Sequence, residues 1–344
     1  MSILTLMPII AGLTFMISFS ISWLMSKAGL TDVPVGRSNH AAPTPPAGGL
    51  GVLCGLAAGF VSLTLLTPIA GVFADLPTIL SLCFAIALLG IYDDLYSPPT
   101  MIKFGIFIGL SFLLIYILGP VTHLPAGQSL LQLPLSLAIL GTLLWIFVVI
   151  NSVNFMDGAN GLMPGCMAIA FAGLAAVAHL MQAPQTLLLS LISSAAWAGF
   201  LPWNFRRKAL IFSGDVGALT AGFIYAAAVL LLCHESANPS VAYLGVLLIF
   251  PFIVDVLLTL FWRARHGKNL LSPHRDHLYQ RAIKRGVSHT QISAIYYSAF
   301  FTCSAIVFMM STKSQAFISV AFAIMVFIAA ILYIAAHKLW SVQD

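Results

Sequence analysis

Long apolar runs recur along nearly the whole of this 344-residue chain. About eleven of them reach or approach the roughly 20 residues that a helix needs to cross a bilayer. They cover residues 3–25, 48–70, 77–92, 101–119, 132–150, 162–181, 185–201, 216–233, 241–262, 291–310 and 315–337. Inside a bilayer only a helix or a closed barrel satisfies every backbone polar group, and these runs lack the alternating polarity of barrel strands. The sequence therefore predicts an all-α, polytopic membrane protein.

Composition supports this class and excludes several others. Hydrophobic residues make up 60% of the chain and charged residues only 7%, with a mean hydropathy of +1.02. The net charge of +5 is explained by membrane topology and anionic partners, so no nucleic-acid partner is predicted. The five cysteines lie in or beside apolar runs without Cys-x-x-Cys spacing, and we interpret them as packing residues.

Basic residues indicate the orientation of the chain. With the N-terminus outside, every Lys and Arg except Lys313 falls in an inside-facing segment. Such an asymmetry marks the cytoplasmic side of a membrane protein. The first run lacks a basic n-region, so it is interpreted as a retained helix and not as a signal peptide. The sequence therefore predicts about eleven transmembrane helices, a periplasmic N-terminus and a cytoplasmic C-terminus.

The acidic residues show the same one-sidedness. Seven of the ten belong to inside segments or to the inner part of a span: Asp32, Asp93, Asp94, Asp157, Asp215, Asp255 and Asp276. Acids near hydrocarbon are costly and need a partner, a cation or an aqueous cavity. Acids at the mouths of several helices therefore predict one shared polar site at the inner face. For Asp32 and Asp276, a plain balance of the loop cations remains an alternative interpretation.

Two of the acidic motifs favour metal and phosphate chemistry. Asp93 and Asp94 directly follow an apolar run, and adjacent carboxylates repel unless a cation or proton lies between them. Mg²⁺ with diphosphate oxygens would satisfy them, whereas a solvated helix end is the alternative. In the segment FSGDVGALTAGF, Asp215 lies among glycines where a helix begins, and a helix start can receive phosphate.

Two basic loops provide the positive counterpart. Arg37 and His40 lie in a loop rich in Pro and Gly, and a second loop over residues 263–290 concentrates Arg, Lys and His. Side chains of this kind can hold phosphates, although a positive-inside loop is basic in any case. The spacing of His274 and His277 also suits zinc, but no Cys or acid nearby completes four ligands.

Five motifs, taken in order, resemble the polyprenyl-phosphate N-acetylhexosamine-1-phosphate transferases, and the resemblance runs over nearly the whole chain. They are Asp-x-Pro-x-x-Arg-x-x-His-x-x-Pro-Thr-Pro (32–45), Asp-Asp-Leu (93–95), Asn-Phe-Met-Asp-Gly-x-Asn-Gly (154–161), Asn-Phe leading to Gly-Asp-x-Gly (204–217) and His-Arg-Asp-His-Leu-Tyr-Gln-Arg (274–281).

This resemblance implies a single transmembrane transferase domain over residues 1–344. The enzyme would use Mg²⁺, with Mn²⁺ as the alternative ion, to move a sugar-1-phosphate from a UDP-N-acetylhexosamine to undecaprenyl phosphate, releasing UMP. It would lie in the bacterial inner membrane with its active site on the cytoplasmic side and initiate O-antigen or other surface-polysaccharide synthesis. A homodimer is compatible with this assignment. The catalytic segments would be 26–47, 92–101, 151–162, 202–215 and 263–290.

The resemblance also implies roles for individual residues. Asp93, Asp94 and Asp215 would bind the metal and act in catalysis, together with His277. Asp157, Asn160 and Asn204 would recognise the uridine nucleotide through hydrogen bonds, while the neighbouring glycines admit its flat ring. The remaining residues expected to bind substrate are Arg37, His40, Lys103, Asn154, Arg275 and Arg281.

Departures from the family pattern indicate which branch of the family this chain resembles. Many relatives have Arg where this chain has Pro46, Asp where it has Asn160, and Ser where it has Ala218. The branch that uses the muramoyl-pentapeptide nucleotide carries three consecutive His in its last inside loop, whereas this chain reads SPHRDHLYQR. The chain is therefore expected to resemble the O-antigen and surface-polysaccharide enzymes and to use a UDP-N-acetylhexosamine.

A different class also fits the composition. A membrane transporter or a lipid-linked sugar flippase would use membrane acids as a cation path, with acids in mid-span and broken helices paired between two halves. Only Asp255 lies deep within a predicted span, and the sequence shows no internal repeat. A non-catalytic scaffold would not need five acids on one face. These features favour the transferase.

Overall fold

The computed structural model describes residues 3–28, 47–66, 73–96, 98–270, 272 and 274–340. This part of the chain is almost entirely helical, and its elements are α1 (Ile3–Ser26), α2 (Gly48–Leu66), α3 (Leu76–Tyr96), α4 (Thr100–Leu118), β1 (His123–Ala126), β2 (Ser129–Gln132), α5 (Leu135–Phe155), α6 (Leu162–Leu180), α7 (Pro184–Asn204), α8 (Gly214–Glu235), α9 (Val241–Leu248), α10 (Phe250–Arg265), α11 (Leu278–Lys284), α12 (His289–Met310) and α13 (Gln315–Leu339). The predicted all-α, polytopic class is confirmed.

Ten of the described helices are long and apolar enough to cross a membrane, and α9 with α10 raises the number to eleven if the pair is one span. The two helices meet at an angle of 76°. Pro251 lies in the first turn of α10, where its ring and missing N–H prevent a continuous helix. The run 241–262, predicted as one span, is therefore broken by its own sequence.

Helix α8 lies at the centre of the bundle, packed against α2, α3, α5 and α7, while α13 lies at the periphery. Small residues permit this central packing, because helices in lipid associate by close contact. A Cβ atom at Gly222 would lie 2.7 Å from the Ile150 Cα atom of α5. The start of α8 is thus surrounded by other helices and not by lipid.

Ends of successive helices alternate between two faces of the bundle. On one face, the β1–β2 hairpin, which the sequence did not predict, is tied to the bundle by Tyr243, whose hydroxyl donates to the Pro125 carbonyl at 2.7 Å. On the same face Glu235 accepts hydrogen bonds from the backbone N–H groups of Gln185 and Thr186, at 2.9 and 2.8 Å. Glu235 therefore caps the N-terminus of α7.

The opposite face carries the acidic motifs, and there the helices extend further than predicted. Asp93 and Asp94 lie in the last turn of α3, Asn154 in the last turn of α5 and Asp215 in the first turn of α8. Helix α3 continues through the two acids because nothing breaks it before Pro98 and Pro99. Parts of the predicted catalytic loops 92–101, 151–162 and 202–215 are thus rigid helix. Arg37 and His40, with most of segment 26–47, lie outside the described residues.

Candidate functional site

The acids of α3 and α8 meet at one end of the bundle, on the face opposite the β1–β2 hairpin. The Asp94 carboxylate accepts hydrogen bonds from the backbone N–H groups of Asp215 and Val216, at 3.0 and 3.4 Å. A carboxylate at a helix N-terminus satisfies free N–H groups and interacts favourably with the helix dipole. Asp94 thereby joins the end of α3 to the start of α8.

The Asp93 and Asp215 carboxyl groups lie beside each other. Asp93 is buried and forms an ion pair with Lys103 of α4, and its carboxyl group interacts electrostatically with that of Asp215. The Asp215 Oδ1 atom accepts a hydrogen bond of 2.8 Å from Asn154 Nδ2. The structure therefore brings together four predicted residues, with a cation on one side of the acid pair and an amide on the other.

A glycine that the sequence analysis did not single out permits this meeting. A Cβ atom at Gly90 would lie 2.5 Å from Val216 Cα and 2.9 Å from the Asp215 carbonyl carbon. Gly90 precedes Asp93 and Asp94 by about one helical turn, on the face of α3 that packs on α8. Its missing side chain sets the distance between the acidic residues of the two helices.

A cavity of about 360 Å³ opens beside the acids. Its polar wall includes Asp93, Lys103, Asn154 and His277, whereas its apolar wall comes from α4, α5, α8 and residue 270, namely Phe104, Phe107, Phe155, Leu219 and Leu270. A larger cavity of about 450 Å³ on the opposite face has no Asp, Glu, Lys or Arg among its lining residues. Charge, and not volume, therefore identifies the candidate site.

The donor atoms of the acid pair suit a hard cation. Two neighbouring carboxylates repel each other unless a proton or a cation lies between them. Mg²⁺ is usually bound by one or two carboxylates, with substrate phosphates and water completing the shell. In the described part of the chain no three His, Cys, Asp or Glu side chains surround one cation position. Asp93 and Asp215 thus fit a site that substrate oxygens complete.

His277 enters the cavity from the last long loop, immediately before α11. Its ring is buried and lies 5.7 Å from that of Phe155 and 5.0 Å from that of His274, between centroids. Burial lowers the pKa of His274 to about 4, and the positive charges of His277 and Arg263 add to the effect. The alternative of a zinc site at these two histidines gains no third ligand from the described residues.

Asp157 connects the α5–α6 loop to the segment before α8. Its Oδ2 atom accepts a hydrogen bond from the Ser213 hydroxyl. Burial raises the pKa of Asp157 to about 7, the Ser213 hydrogen bond opposes the rise and the charge of Asp94 adds to it. The Asp157 carboxyl group can therefore hold or release a proton near neutral pH.

Asn160 and Asn204 are occupied by main-chain partners. Asn204 accepts from the Gly161 N–H and donates to the Ile211 carbonyl, the latter at 2.8 Å. Asn160 Nδ2 donates to the Arg206 carbonyl at 2.8 Å. Both side chains thus hold the α5–α6 loop and the segment between α7 and α8 in place. That they contact the substrate remains a prediction.

The predicted basic residues differ in their surroundings. Arg281 donates to the Asp276 carbonyl at 2.8 Å and stacks over Trp262, and neither Arg281 nor Arg275 is among the cavity-lining residues. Arg263, which the sequence analysis did not assign to the site, is buried and forms an ion pair with Asp276. Burial alone would raise the pKa of Asp276, but the Arg263 hydrogen bond and nearby cations hold it below its usual value.

Arg275 is the predicted residue with donors to spare. Its Nε and Nη2 atoms are buried and have no hydrogen-bond partner among the described residues. Unsatisfied buried donors are costly, and a guanidinium group matches the oxygens of a phosphate. The side chain is therefore suited to receive an anion.

Several residues of the site were not predicted from the sequence. Asn151 lines the cavity and precedes Asn154 by three residues, so helical spacing could have identified it. Gln280 also lines the cavity, and its Oε1 atom accepts from the His277 N–H at 3.4 Å. Gly90 and Ser213 gave no local signal, because their partners are distant in sequence.

Comparisons with known proteins all find similarity to enzymes that transfer a sugar phosphate to a polyprenyl phosphate. The profile of glycosyl transferase family 4 matches residues 76–233. A Bacillus subtilis protein named probable undecaprenyl-phosphate N-acetylglucosaminyl 1-phosphate transferase is 28% identical over 297 residues, covering 83% of this chain and 79% of the relative. The Mycobacterium tuberculosis decaprenyl-phosphate N-acetylglucosaminephosphotransferase is 27% identical, covering 83% and 77%. The Escherichia coli undecaprenyl-phosphate alpha-N-acetylglucosaminyl 1-phosphate transferase is 23% identical, covering 77% and 72%.

Proposed function

Because this chain belongs to glycosyl transferase family 4, among the polyprenyl-phosphate N-acetylhexosamine-1-phosphate transferases, we propose that it acts on undecaprenyl phosphate. The donor is a UDP-N-acetylhexosamine, and the products are undecaprenyl-diphosphate-sugar and UMP. In the cell this reaction begins the synthesis of O-antigen or another surface polysaccharide. The names of the relatives, which specify N-acetylglucosamine, support an N-acetylated sugar.

One observation carries the proposal: Asp93, which is one of the acid pair, shares a cavity with a lysine and an apolar wall at a single face of the bundle. Asp93 and Asp215 suit a metal-bound diphosphate, and Lys103 suits a phosphate oxygen. The apolar wall suits the first part of a polyprenyl chain. A transporter would instead require acids along the spans, and buried Asp255 is held by several hydrogen bonds within the protein.

The chemistry is a direct phosphoryl transfer. An oxygen of the lipid phosphate attacks the β-phosphorus of the UDP-sugar and forms the new P–O bond. The bond from the β-phosphorus to the bridging oxygen breaks, and UMP leaves with that oxygen and its electron pair. Such a transfer depends mainly on positioning and charge stabilisation, which Lys103 and His277 supply from the cavity wall, and Arg275 of the last loop has unpaired donors for a further anionic group. A route through an aspartyl-phosphate is the alternative mechanism.

The residues of the acid pair fit Mg²⁺, with Mn²⁺ as the alternative ion. Asp215 and Asp93 would hold it, and Asp94 keeps the start of α8 in place beside them. When bound, the ion neutralises charge on the diphosphate. Asn154 keeps the Asp215 carboxylate oriented through its hydrogen bond.

Purified protein with Mg²⁺ and undecaprenyl phosphate tests the function against a panel of donors. We expect UMP release and a lipid-linked product with UDP-N-acetylglucosamine or UDP-N-acetylgalactosamine, and much less with UDP-glucose or the muramoyl-pentapeptide nucleotide. One contact to an acetamido group contributes about 1–3 kcal/mol, which corresponds to a preference of about 5- to 150-fold. Absence of UMP release with every donor would refute the transferase assignment, and equal rates with UDP-glucose would refute the donor class.

The site is proposed to face the cytoplasm of a bacterial inner membrane. In a variant without native cysteines, Lys313→Cys should react with an impermeant maleimide in intact spheroplasts, because the basic residues place its loop outside. Arg265→Cys, which is exposed beside the last long loop, should react only after the membrane is opened. Labelling of Arg265→Cys in intact spheroplasts would invert the topology.

Replacing Gly90 by Ala should slow UMP release about 10- to 100-fold, since displacing reacting groups by about 1 Å has effects of that size. The added methyl group would meet the backbone of Val216 and Asp215, and overpacking costs about 1–3 kcal/mol of stability. Gly105→Ala in α4 is the matched control, because no atom beyond the local backbone of α4 lies within 4 Å of its Cβ position. If both variants kept wild-type turnover, Gly90 would not set the spacing of the acids.

A further inference from the structure

Asp255 is a buried carboxylate that the proposed reaction does not use. It lies in α10, shortly after the bend of the broken span, and is only 1% exposed. A carboxylate buried at membrane depth lowers stability unless its oxygens are well partnered. The partners of Asp255 therefore indicate what it is for.

Its two oxygens bind different parts of the protein. Oδ2 accepts a hydrogen bond of 2.6 Å from the Tyr296 hydroxyl of α12. Oδ1 accepts from the Leu278 backbone N–H at 2.9 Å and from the Thr259 hydroxyl at 3.2 Å. His277 Nδ1 lies 3.5 Å from the same Oδ1 atom. Oδ2 thus binds a transmembrane helix, α12, whereas Oδ1 faces His277 and Leu278 at the start of α11.

The surroundings of His277 leave Asp255 as the acceptor for Nδ1. That nitrogen is buried and makes no hydrogen bond among the described residues, and the Asp255 Oδ1 atom lies 3.5 Å from it. The imidazole is flanked by Phe155 on one side, with 5.7 Å between centroids, and stacks with Tyr279 at 6.3 Å. Because His277 also lines the cavity, its Nε2 atom is the nitrogen left to face a substrate.

We propose that Asp255 is a positioning residue for His277, a role that rests on the proposed transferase function. Its carboxylate holds the Nδ1–H group, so that Nε2 is presented to the phosphates in the cavity. A carboxylate behind a histidine selects the tautomer, fixes the ring and stabilises the imidazolium form. Asp255 follows closely after the bend between α9 and α10, and its contacts to His277 and Leu278 place it against the segment that leads into α11.

The plain alternative is that Asp255 only stabilises the fold by binding α11 and Tyr296. Tyr296→Phe separates the two, because it removes the hydrogen bond to Oδ2 and leaves the side of the carboxylate that faces His277. Tyr296→Phe and a substitution of Asp255 both disturb the same buried cluster. Only the substitution that removes the Asp255 carboxylate should affect His277.

The test compares turnover of Asp255→Asn, Asp255→Glu, Tyr296→Phe and His277→Ala. For Asp255→Asn we expect kcat to fall about 100-fold, within the range for a misplaced general acid or base, while KM for the UDP-sugar changes less than about threefold. Asp255→Glu, which restores the carboxylate, should recover at least about tenfold of that loss. Tyr296→Phe should stay within about threefold of wild type.

The double variant Asp255→Asn with His277→Ala should be no slower than His277→Ala alone, because residues that act as a unit are not additive. Independent, multiplicative losses would overturn the proposal, as would equal losses in Asp255→Asn and Tyr296→Phe. Loss of folded protein in both Asp255 variants, with Tyr296→Phe still folded, would assign the carboxylate to the fold and would also overturn it.

Failure of the transferase assignment would look different, since wild-type protein would then release no UMP with any donor. In that case the contact is still measurable without turnover. Thermal unfolding of the Asp255→Asn, His277→Ala and double variants should show non-additive shifts, because the two side chains touch. Additive shifts would refute the contact itself.

Discussion

Asp215→Asn should abolish UMP release, with a rate at least about 1,000-fold below wild type, while the protein remains folded in detergent. The amide removes the negative charge from the carboxyl pair, and a bound metal ion is worth several kcal/mol of charge stabilisation, of which about 4 kcal/mol corresponds to 1,000-fold. Folding should survive because an amide oxygen can still accept the hydrogen bond that Asn154 donates. UMP release by the purified variant, alongside its thermal unfolding, measures both effects.

Asp75→Asn is the matched control. Asp75 is also hydrogen-bonded to an amide side chain, that of Gln185 at 2.9 Å, but it lies on the opposite face of the bundle. We expect its turnover to stay close to wild type, since the substitution leaves the acids of α3 and α8 untouched. Turnover of Asp215→Asn within a few-fold of wild type would remove Asp215 from the proposed metal site.

Removal of divalent cations with EDTA should stop UMP release by wild-type protein completely. Addition of Mg²⁺ or Mn²⁺ should restore it, whereas Ca²⁺ should restore it poorly, because Ca²⁺ prefers more ligands at longer distances. The expected loss is again at least about 1,000-fold, given the several kcal/mol that such an ion contributes. UMP release is measured before chelation, after chelation and after each addition.

Thermal unfolding provides the control for the chelation experiment. Lys103 and Asn154 already partner the two carboxylates, so we expect the fold to tolerate EDTA. A chelated protein that stayed folded and fully active would show that the acid pair works without a metal. In that case Asp93 and Asp215 would have to act by sharing a proton.

The membrane class and the candidate acids could be predicted because both depend on local chemistry. A bilayer imposes a length and an apolar character on each span, which can be counted directly in the sequence. Acids and amides at the ends of such spans are costly unless they are used, so their positions also stand out. Asp93 and Asp215, chosen in this way, do lie together, and Lys103 and Asn154, which the family resemblance implied, lie beside them.

Local chemistry does not predict which partner each polar side chain binds. Asn160 and Asn204 fall in a motif that suggests nucleotide binding, yet their amides bind loop carbonyls and a loop N–H. Arg281 stacks on Trp262, whereas Arg275 keeps free donors. A sequence motif records which residue types are present, but the partner of each depends on chain segments far away.

The sequence by itself determined that this chain lies in a membrane, that it is helical and that its acids collect on one face. Hydropathy and charge are properties of individual residues, so they can be counted along the chain. Only the tertiary structure decided which acids lie together, how closely their helices approach and which other residues bind them. Gly90 lets α3 approach α8, Ser213 binds Asp157, and Asp255, shortly after the bend between α9 and α10, lies beside His277. These contacts join residues between 22 and 126 positions apart, such as Asp255 with His277 and Gly90 with Val216, so no local pattern could reveal them.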